Sequence, residues 1–474
     1  MLLYRQRLGM IILFLSDSVI IFTIFLLAVF IRKILPSIIS LVPIFSGNPT
    51  NYYWFFLIWF ATMTYEGGYS RRFTFWDEVK LLWKVTFFST LAILTIVSLG
   101  QLNYVVSRSV ILLMGFLSLG IFPVLRIAVK RQLINAGMLK SRVLIIGTDE
   151  TARRALSALR REPNLGYDVI GFISDEQSNK KHLIDGVKVH GYFHRVERYL
   201  QNSDIQDVVV ATSRIEKDAL FDLVNNLQHK AKSVLYIPDF SGMAVMGTEL
   251  RHFFHDQVFA LEIKNNLAQP FNYYAKKAFD YLMGIILFLV LMIPFMLISI
   301  LVKATSKGPA IFKQKRVGQN GRPFMCYKFR TMYNDADDRL RTLLVKDPEA
   351  RAEWQAYYKL KNDPRITKIG NFLRKTSLDE LPQIFNVLRG EMSLVGPRPV
   401  TQDEIETYYK DKAKLCFCVP PGITGLWQVS GRSNTSYEYR VSLDSWYVRN
   451  WNLWLDVVIL MKTFYVVLKR EGAQ

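Results

Sequence analysis

Phe279-Asp-Tyr-Leu-Met-Gly-Ile-Ile-Leu-Phe-Leu-Val-Leu-Met-Ile-Pro294-Phe-Met-Leu-Ile-Ser-Ile-Leu-Val302 is an apolar stretch with a proline in its interior. Its length suffices to cross a bilayer, which takes ~20 residues. Lys276 and Lys277 precede it, and Lys303 and Lys307 follow it. Lysine and arginine collect on the cytoplasmic side of membrane helices, so both ends of this one carry the same signal. A hairpin-like re-entrant helix broken at Pro294, whose ring removes a backbone donor, satisfies both ends. An ordinary fifth span with a proline kink is the other reading, and it would place the basic region after Val302 outside, away from cytoplasmic nucleotides.

The rest of the chain supplies the context. It has 474 residues, of which 50% are hydrophobic and 14% aromatic, and 60 Lys+Arg against 40 Asp+Glu give a formal net charge of +20. Such length implies more than one domain. The aromatic content excludes disorder, and three cysteines cannot form a disulfide framework. A membrane protein with a basic cytoplasmic part and a nucleic-acid binder with an apolar portion both remain. Position along the chain separates them. Met10 to Ile31 is almost wholly apolar, with Arg5 and Arg7 before it, Arg32 and Lys33 after it and no small-residue cleavage site, which describes a retained membrane helix. Asp17 interrupts it, either as a proton or ion site or, more simply, as a helix-pairing contact. Tyr52 to Tyr65, Leu81 to Leu99 and Tyr104 to Leu125 read as three further spans. Arg71, Arg72 and Lys80, then Arg126, Lys130 and Arg131, place the N-terminus and everything after the fourth span in the cytoplasm.

After Lys140 strands and helices alternate: Val143 to Ile146, Val169 to Ile173, Val208 to Ala211 and Val234 to Ile237 read as strands of a doubly wound, Rossmann-like domain. The turn Gly147-Thr-Asp-Glu-Thr-Ala152 has Asp149 where a dinucleotide fingerprint needs its second glycine. A carboxylate there repels pyrophosphate, so a structural or regulatory domain that has lost its ligand is favoured over NAD binding.

From Ala310 onward arginines and lysines surround Arg374-Lys-Thr-Ser-Leu-Asp-Glu-Leu-Pro-Gln383. Ser377-Leu-Asp-Glu380 has the form of a capping box, although Pro382 would sit beyond the first turn of such a helix. Adjacent carboxylates at a helix entry suit chemistry as well. The positive end of the dipole keeps Asp379 ionised as a nucleophile, and two carboxylates beside phosphates suit Mg²⁺. Lys328, Arg330, Arg374 and Arg398 would then neutralise a diphosphate, arginine being the better clamp.

Four spaced motifs carry a resemblance. Lys328-Phe-Arg-Thr-Met332, Thr376-Ser-Leu-Asp-Glu-Leu-Pro-Gln383, Leu394-Val-Gly-Pro-Arg-Pro399 and Pro421-Gly-Ile-Thr-Gly-Leu-Trp-Gln-Val-Ser-Gly-Arg432 resemble the bacterial sugar transferases. These are monotopic phosphoglycosyl transferases that initiate surface polysaccharides on undecaprenyl phosphate, and the preceding spans and α/β domain are similar to their long form. The resemblance implies that Asp379 attacks the β-phosphate of a UDP-hexose, releases UMP and holds a covalent phosphosugar, which undecaprenyl phosphate then takes. It implies Mg²⁺ at Asp379 and Glu380, with Glu380 binding the ion or assisting proton transfer. It further implies phosphate binding by Lys328, Arg330, Arg374 and Arg398, a re-entrant helix broken at Pro294, and a homodimer. Leu261-Glu-Ile-Lys-Asn-Asn-Leu-Ala268 is similar to the galactose-transferring subgroup, which puts galactose ahead of glucose.

The expected architecture is membrane α plus α/β: a four-helix transmembrane bundle over residues 1–131, a Rossmann-like domain over 140–262, a re-entrant helix over 270–303 and a cytoplasmic α+β catalytic domain over 304–474. The expected place is the bacterial inner membrane, and the expected partners are UDP-hexose, undecaprenyl phosphate and membrane lipids. Trp354, Tyr357 and Tyr358, and later Trp446, Tyr447, Trp451 and Trp454, suit either a membrane surface or a core, while Asp444 and Asp456 read first as ordinary surface residues, the resemblance allowing a supporting role near the active site as the alternative. Cys326, Cys416 and Cys418 lack zinc spacing, and His252 and His255 lack a zinc motif. No nucleic-acid motif is present, so anionic lipid and diphosphate account for the basic charge. Two rivals remain: a nucleotide-sugar oxidoreductase or dehydratase that retains NAD(H) in its Rossmann-like domain, and a non-catalytic scaffold indifferent to Asp379→Asn.

Overall fold

The computed structural model describes residues 2–38, 52–102, 107–174, 183–192, 196–201, 204–238, 248–253, 258–263, 266–357, 360, 363–430 and 436–469. His255, Lys264, Asn265, Tyr358 and Arg432 lie outside them. The chain divides into two compact units, Met1–Asp239 and Phe240–Gln474.

The first unit begins with four helices, α1 (Leu2–Ile38), α2 (Trp54–Tyr65), α3 (Phe75–Leu99) and α4 (Arg108–Asn135). Three of these are long and apolar enough to cross a membrane. The expected second span differs: at 12 residues, α2 extends only about 18 Å and falls short of a ~30 Å hydrocarbon core. Asp17 is a helix-pairing residue. Fully buried, it accepts from Tyr69 Oη at 2.9 Å and from Arg126. Arg126 also donates to Glu78 (3.0 Å) and to the Gly68 carbonyl (2.7 Å), and Glu78 receives Lys130 (2.6 Å). Each buried charge is thus paired, as burial requires. Asn164 completes the network by donating to Glu78, and Arg72 donates to the carbonyls of Leu139 and Leu165, which ties the helices to the domain that follows.

That domain contains β1 (Ser141–Ile146), α5 (Glu150–Arg161), β2 (Tyr167–Ser174), β3 (Leu183–Ile184), β4 (Val187–Tyr192), α6 (Val196–Gln201), β5 (Ile205–Val210), α7 (Lys217–Gln228) and β6 (Ser233–Tyr236). The sheet order is β3-β4-β2-β1-β5-β6, parallel apart from the short β3–β4 pair. Val143, Leu144, Ile145 and Ile146 are all buried, as a strand covered on both faces demands. Gly147, at φ +122°, lets the chain pass where a Cβ would lie 2.1 Å from the Ala211 carbonyl oxygen. Asp149 then caps α5, accepting from Ala152 N at 3.1 Å, and its other oxygen accepts from Ser213 N (2.9 Å) and Ser213 Oγ (3.0 Å). The helix terminus that would cradle a pyrophosphate is filled by the chain's own carboxylate.

The second unit opens with the antiparallel hairpin β7 (Glu249–Phe253) and β8 (Val258–Glu262), so the parallel sheet ends earlier than the expected boundary at 262. Helix α8 (Pro270–Thr305) follows. It continues through Pro294, correcting the expected break: the proline removes the donor that would meet the Val290 carbonyl, and the helical turns on either side persist. One stripe of α8 packs on the unit along most of its length, with Gly284 against Leu388, Phe288 and Phe295 against Phe385, and Val302 in a cluster with Phe329 and Leu373. Leu289, Val290, Ile293, Leu297 and Ile300 face outward. Near its start Lys276 is buried, donating to Asp456 (2.7 Å) and the Val395 carbonyl (3.0 Å).

The remaining elements are β9 (Ile311–Val317), β10 (Pro323–Phe329), α9 (Ala336–Lys346), α10 (Pro348–Tyr357), α11 (Lys368–Thr376), a 3-10 turn over Leu378–Gln383, α12 (Ile384–Leu388), β11 (Ser393–Val395), α13 (Gln402–Glu404), α14 (Ala413–Cys416), β12 (Gly422–Thr424), α15 (Tyr437–Arg449) and α16 (Leu453–Lys469). Tyr447 and Trp451 belong to the core with Leu394, Val395 and Ile459. Asp444 and Asp456 are fully buried rather than on the surface, each bound by a tyrosine hydroxyl: Tyr409 for Asp444 (2.8 Å) and Tyr447 for Asp456 (2.7 Å).

Candidate active site

Strands β9 and β10 pair antiparallel, with Lys328 opposite Phe312. The chain leaving β10 runs beneath α11, where Arg374 Nε donates to Thr331 Oγ1 at 2.9 Å. At the end of α11, Ser377 adopts a left-handed conformation (φ 56°) and its N–H closes onto the Arg374 carbonyl. Ser377 therefore terminates one helix, and its side chain makes no capping bond to the next. This corrects the capping-box expectation, and the left-handed residue is what turns the chain so that Asp379 and Glu380 enter the 3-10 turn beside β10. Pro382 fits inside that turn because the short segment does not continue the α-helical hydrogen-bond ladder across it.

A cleft of about 1310 Å³ is lined by Lys328, Arg330, Arg374, Asp379, Glu380 and Arg398, so all six residues singled out in the sequence come together. Within it Lys328 Nζ lies 2.7 Å from Glu380 Oε1. Burial, and after it the Glu380 carboxylate, raise the Asp379 carboxyl to about 6 against the opposing pull of Lys328 and Arg374. Burial likewise pulls Arg374 down, with Asp379 opposing. A carboxylate poised near neutrality beside several cations is equipped for nucleophilic attack on an anionic substrate.

Arg330 differs from its expected role. Its guanidinium donates to the Ser306 carbonyl (2.7 Å), Ser306 Oγ (2.9 Å), the Lys307 carbonyl (2.9 Å) and Asn334 Oδ1 (3.2 Å). These bonds clamp the chain leaving α8 onto the end of β10, so Arg330 shapes the cleft wall with both terminal nitrogens engaged and its buried Nε left over. Arg398 follows β11, which runs parallel to β12 so closely that a Cβ on Gly422 would meet Gly396 N at 2.1 Å. Its guanidinium carbon lies 5.4 Å from the Trp427 ring centre, and that of Arg440 lies 4.8 Å from the same ring. Trp427, Tyr437 and Arg440 also line the cleft and were missed in the sequence. The Trp427 motif was visible, but nothing local to Arg440 distinguishes it from a solvated helix residue.

Among the described residues no three histidine, cysteine or acidic side chains gather as a metal site. The Asp379–Glu380 pair nevertheless fits Mg²⁺, which takes one or two carboxylates and completes its shell with substrate oxygens and water. At the start of α5 Asp149 already accepts from Ala152 N and Ser213 N, and its carboxylate would repel a dinucleotide pyrophosphate there.

The chain belongs to the bacterial sugar transferase family. The model of that family, described as bacterial sugar transferase, matches residues 271–470, and a second, described as a CoA-binding domain, matches residues 55–238. The chain is similar to a UDP-galactose-lipid carrier transferase of Erwinia amylovora, with 42% identity over 85% of this chain and 84% of that one. It is also similar to an undecaprenyl-phosphate galactose phosphotransferase of Salmonella typhimurium (39%, covering 85% and 84%) and to a UDP-glucose:undecaprenyl-phosphate glucose-1-phosphate transferase of Escherichia coli (32%, covering 70% and 68%). The protein is accordingly an enzyme, a sugar phosphotransferase.

Proposed function

We propose that the protein transfers hexose-1-phosphate, galactose before glucose, from a UDP-hexose to undecaprenyl phosphate, the first step of a surface polysaccharide. The observation that carries this reading is the meeting of Asp379, Glu380, Lys328, Arg374 and Arg398 in one cleft beside an apolar helix. Asp379 attacks the β-phosphorus, the bond to the α-phosphate oxygen breaks and UMP leaves with that electron pair. A phosphate oxygen of the lipid then displaces the carboxylate and yields the lipid diphosphosugar. Lys328, Arg374 and Arg398 hold the phosphates and offset the charge that builds on them. Mg²⁺ held by Asp379 and Glu380 would supply further neutralisation of the diphosphate. The galactose preference is supported by the two relatives of higher identity described above, which are named for galactose.

In this reading α8, helical throughout, bends at Pro294 where one backbone bond is missing, and so enters and leaves the inner leaflet of the cytoplasmic membrane from the cytoplasmic face. Support comes from the lysines at both of its ends and from its packing on one unit from Lys276 to Val302, about 39 Å of helix. The aspartate then sits at the headgroup plane, where a long polyprenol can present its phosphate without leaving the lipid. Incubation of purified protein with UDP-galactose or UDP-glucose, Mg²⁺ and undecaprenyl phosphate should release UMP; no release with any UDP-sugar defeats the reading.

A further inference from the structure

The cleft that holds Asp379 does not end at its charged residues. It is also lined by Leu287 and Leu291 of α8 and by Leu460, Thr463 and Val467 of α16. A spacing of four on α8, and of three or four on α16, puts each set on one face of its helix. All five are half-buried; Leu287 and Leu460 pack in part against the core, and each of the five still borders the cleft. The hydroxyl of Thr463 is engaged with the Ile459 carbonyl (2.8 Å) and Thr424 Oγ1 (2.7 Å), which leaves its methyl as the group available to the cleft. The other sides of the two helices are apolar and exposed, with Leu289, Val290 and Ile293 on α8 and Phe464, Tyr465 and Leu468 on α16. A single space is therefore apolar where α8 and α16 border it and cationic where Lys328, Arg374 and Arg398 do.

We infer that the groove between α8 and α16 holds the first isoprene units of the lipid acceptor and points its phosphate at Asp379. The inference rests on the transferase reading and assigns residues to its second half-reaction. The occupant follows from chemistry: an apolar chain ending in an anion matches both parts of the cleft, whereas a sugar nucleotide has nothing to place between Leu291 and Val467. From Leu460 to Val467 the wall extends about 10 Å, enough for the start of a prenyl chain and far too short for all of it. Lipid tails are as apolar as leucine, so moving a prenyl chain from bilayer to groove gains little hydrophobic free energy. The groove acts by orientation, and its effect belongs to the acceptor step alone.

Two measurements on the full-length protein in lipid nanodiscs test this. Leu291→Trp and Val467→Trp each fill the groove. Both should give a wild-type burst of UMP from UDP-galactose, while the KM for undecaprenyl phosphate rises about tenfold; Phe464→Trp, on the exposed side of α16, should change neither. Separately, a polyprenyl phosphate with a benzophenone in its first isoprene units should crosslink wild-type peptides containing Leu291 and Val467, and excess undecaprenyl phosphate should suppress the crosslink. A wild-type acceptor KM in both groove variants, crosslinking confined to Leu289, Val290 and Ile293, or equal suppression by phosphatidylglycerol would overturn the inference. The crosslink requires no turnover, so it decides the groove even if a variant fails to fold. A wild-type protein that binds the probe in the groove and releases no UMP would sink the transferase reading and leave the groove standing.

Discussion

Lys328 Nζ and Glu380 Oε1 are 2.7 Å apart, and this pair lies against the raised carboxyl of Asp379. Glu380 favours the protonated form of Asp379 and Lys328 the ionised form, so the pair partly cancels in its effect on the nucleophile. With Asp379 at about 6, the ionised form dominates at neutral pH and is lost on acidification. The rate of phosphosugar adduct formation should fall as pH drops through about 6, following a single ionisation, and should level off above it. Rapid-quench measurement of UMP over that range checks this.

Substitution of either partner should move that limb in opposite directions. Glu380→Gln removes a negative neighbour and releases Lys328 to act on Asp379, so the midpoint shifts to lower pH. Lys328→Met removes a positive neighbour, so the midpoint shifts higher. The lysine variant should also slow adduct formation by ~10²-fold, the scale expected for losing one cationic contact to a reacting phosphate.

The buried pair of Lys276 and Asp456 fixes the start of α8 to the catalytic core, with Tyr447 and Trp451 also donating to the carboxylate. Asp456→Leu leaves the buried Lys276 ammonium with only Asp280, 3.8 Å away, as a carboxylate neighbour and should cost about 3 kcal/mol. Lys276→Met in the same chain should recover a large part of that loss. Unfolding in detergent, followed for the two single variants and the double, measures the coupling.

Asp149→Ala removes a helix cap together with the acceptor for Ser213. It should destabilise the α/β domain by ~1–2 kcal/mol and speed amide exchange in the first turn of α5. Hydrogen exchange read by mass spectrometry resolves that turn from the rest of the sheet.

The local signals proved the most legible. Four parallel strands were readable from short β-branched runs such as Val143 to Ile146, and the six cleft residues from their motifs. Residues whose environment is made by distant segments were not. Asp444 and Asp456 resemble surface carboxylates in sequence because their partners Tyr409 and Lys276 lie 35 and 180 positions away. Arg330 sits in the right motif, yet the carbonyls of Ser306 and Lys307 engage it, and no periodicity records that. Ser377 satisfies the spacing of a cap, but the left-handed turn that ends α11 gives it a different task. Pro294 was seen as a break because a proline always removes one backbone bond; that a helix can lose one and continue depends on its packing, here Phe295 on Phe329 and Phe385.

The claim at the centre is that Asp379 carries the sugar phosphate. Wild-type protein incubated with UDP-galactose and Mg²⁺, without acceptor, should yield a peptide containing Asp379 that has gained one hexose phosphate. The adduct should disappear on adding undecaprenyl phosphate and never form in Asp379→Asn. An adduct on another residue, or UMP release by Asp379→Asn at the wild-type rate, would contradict the account.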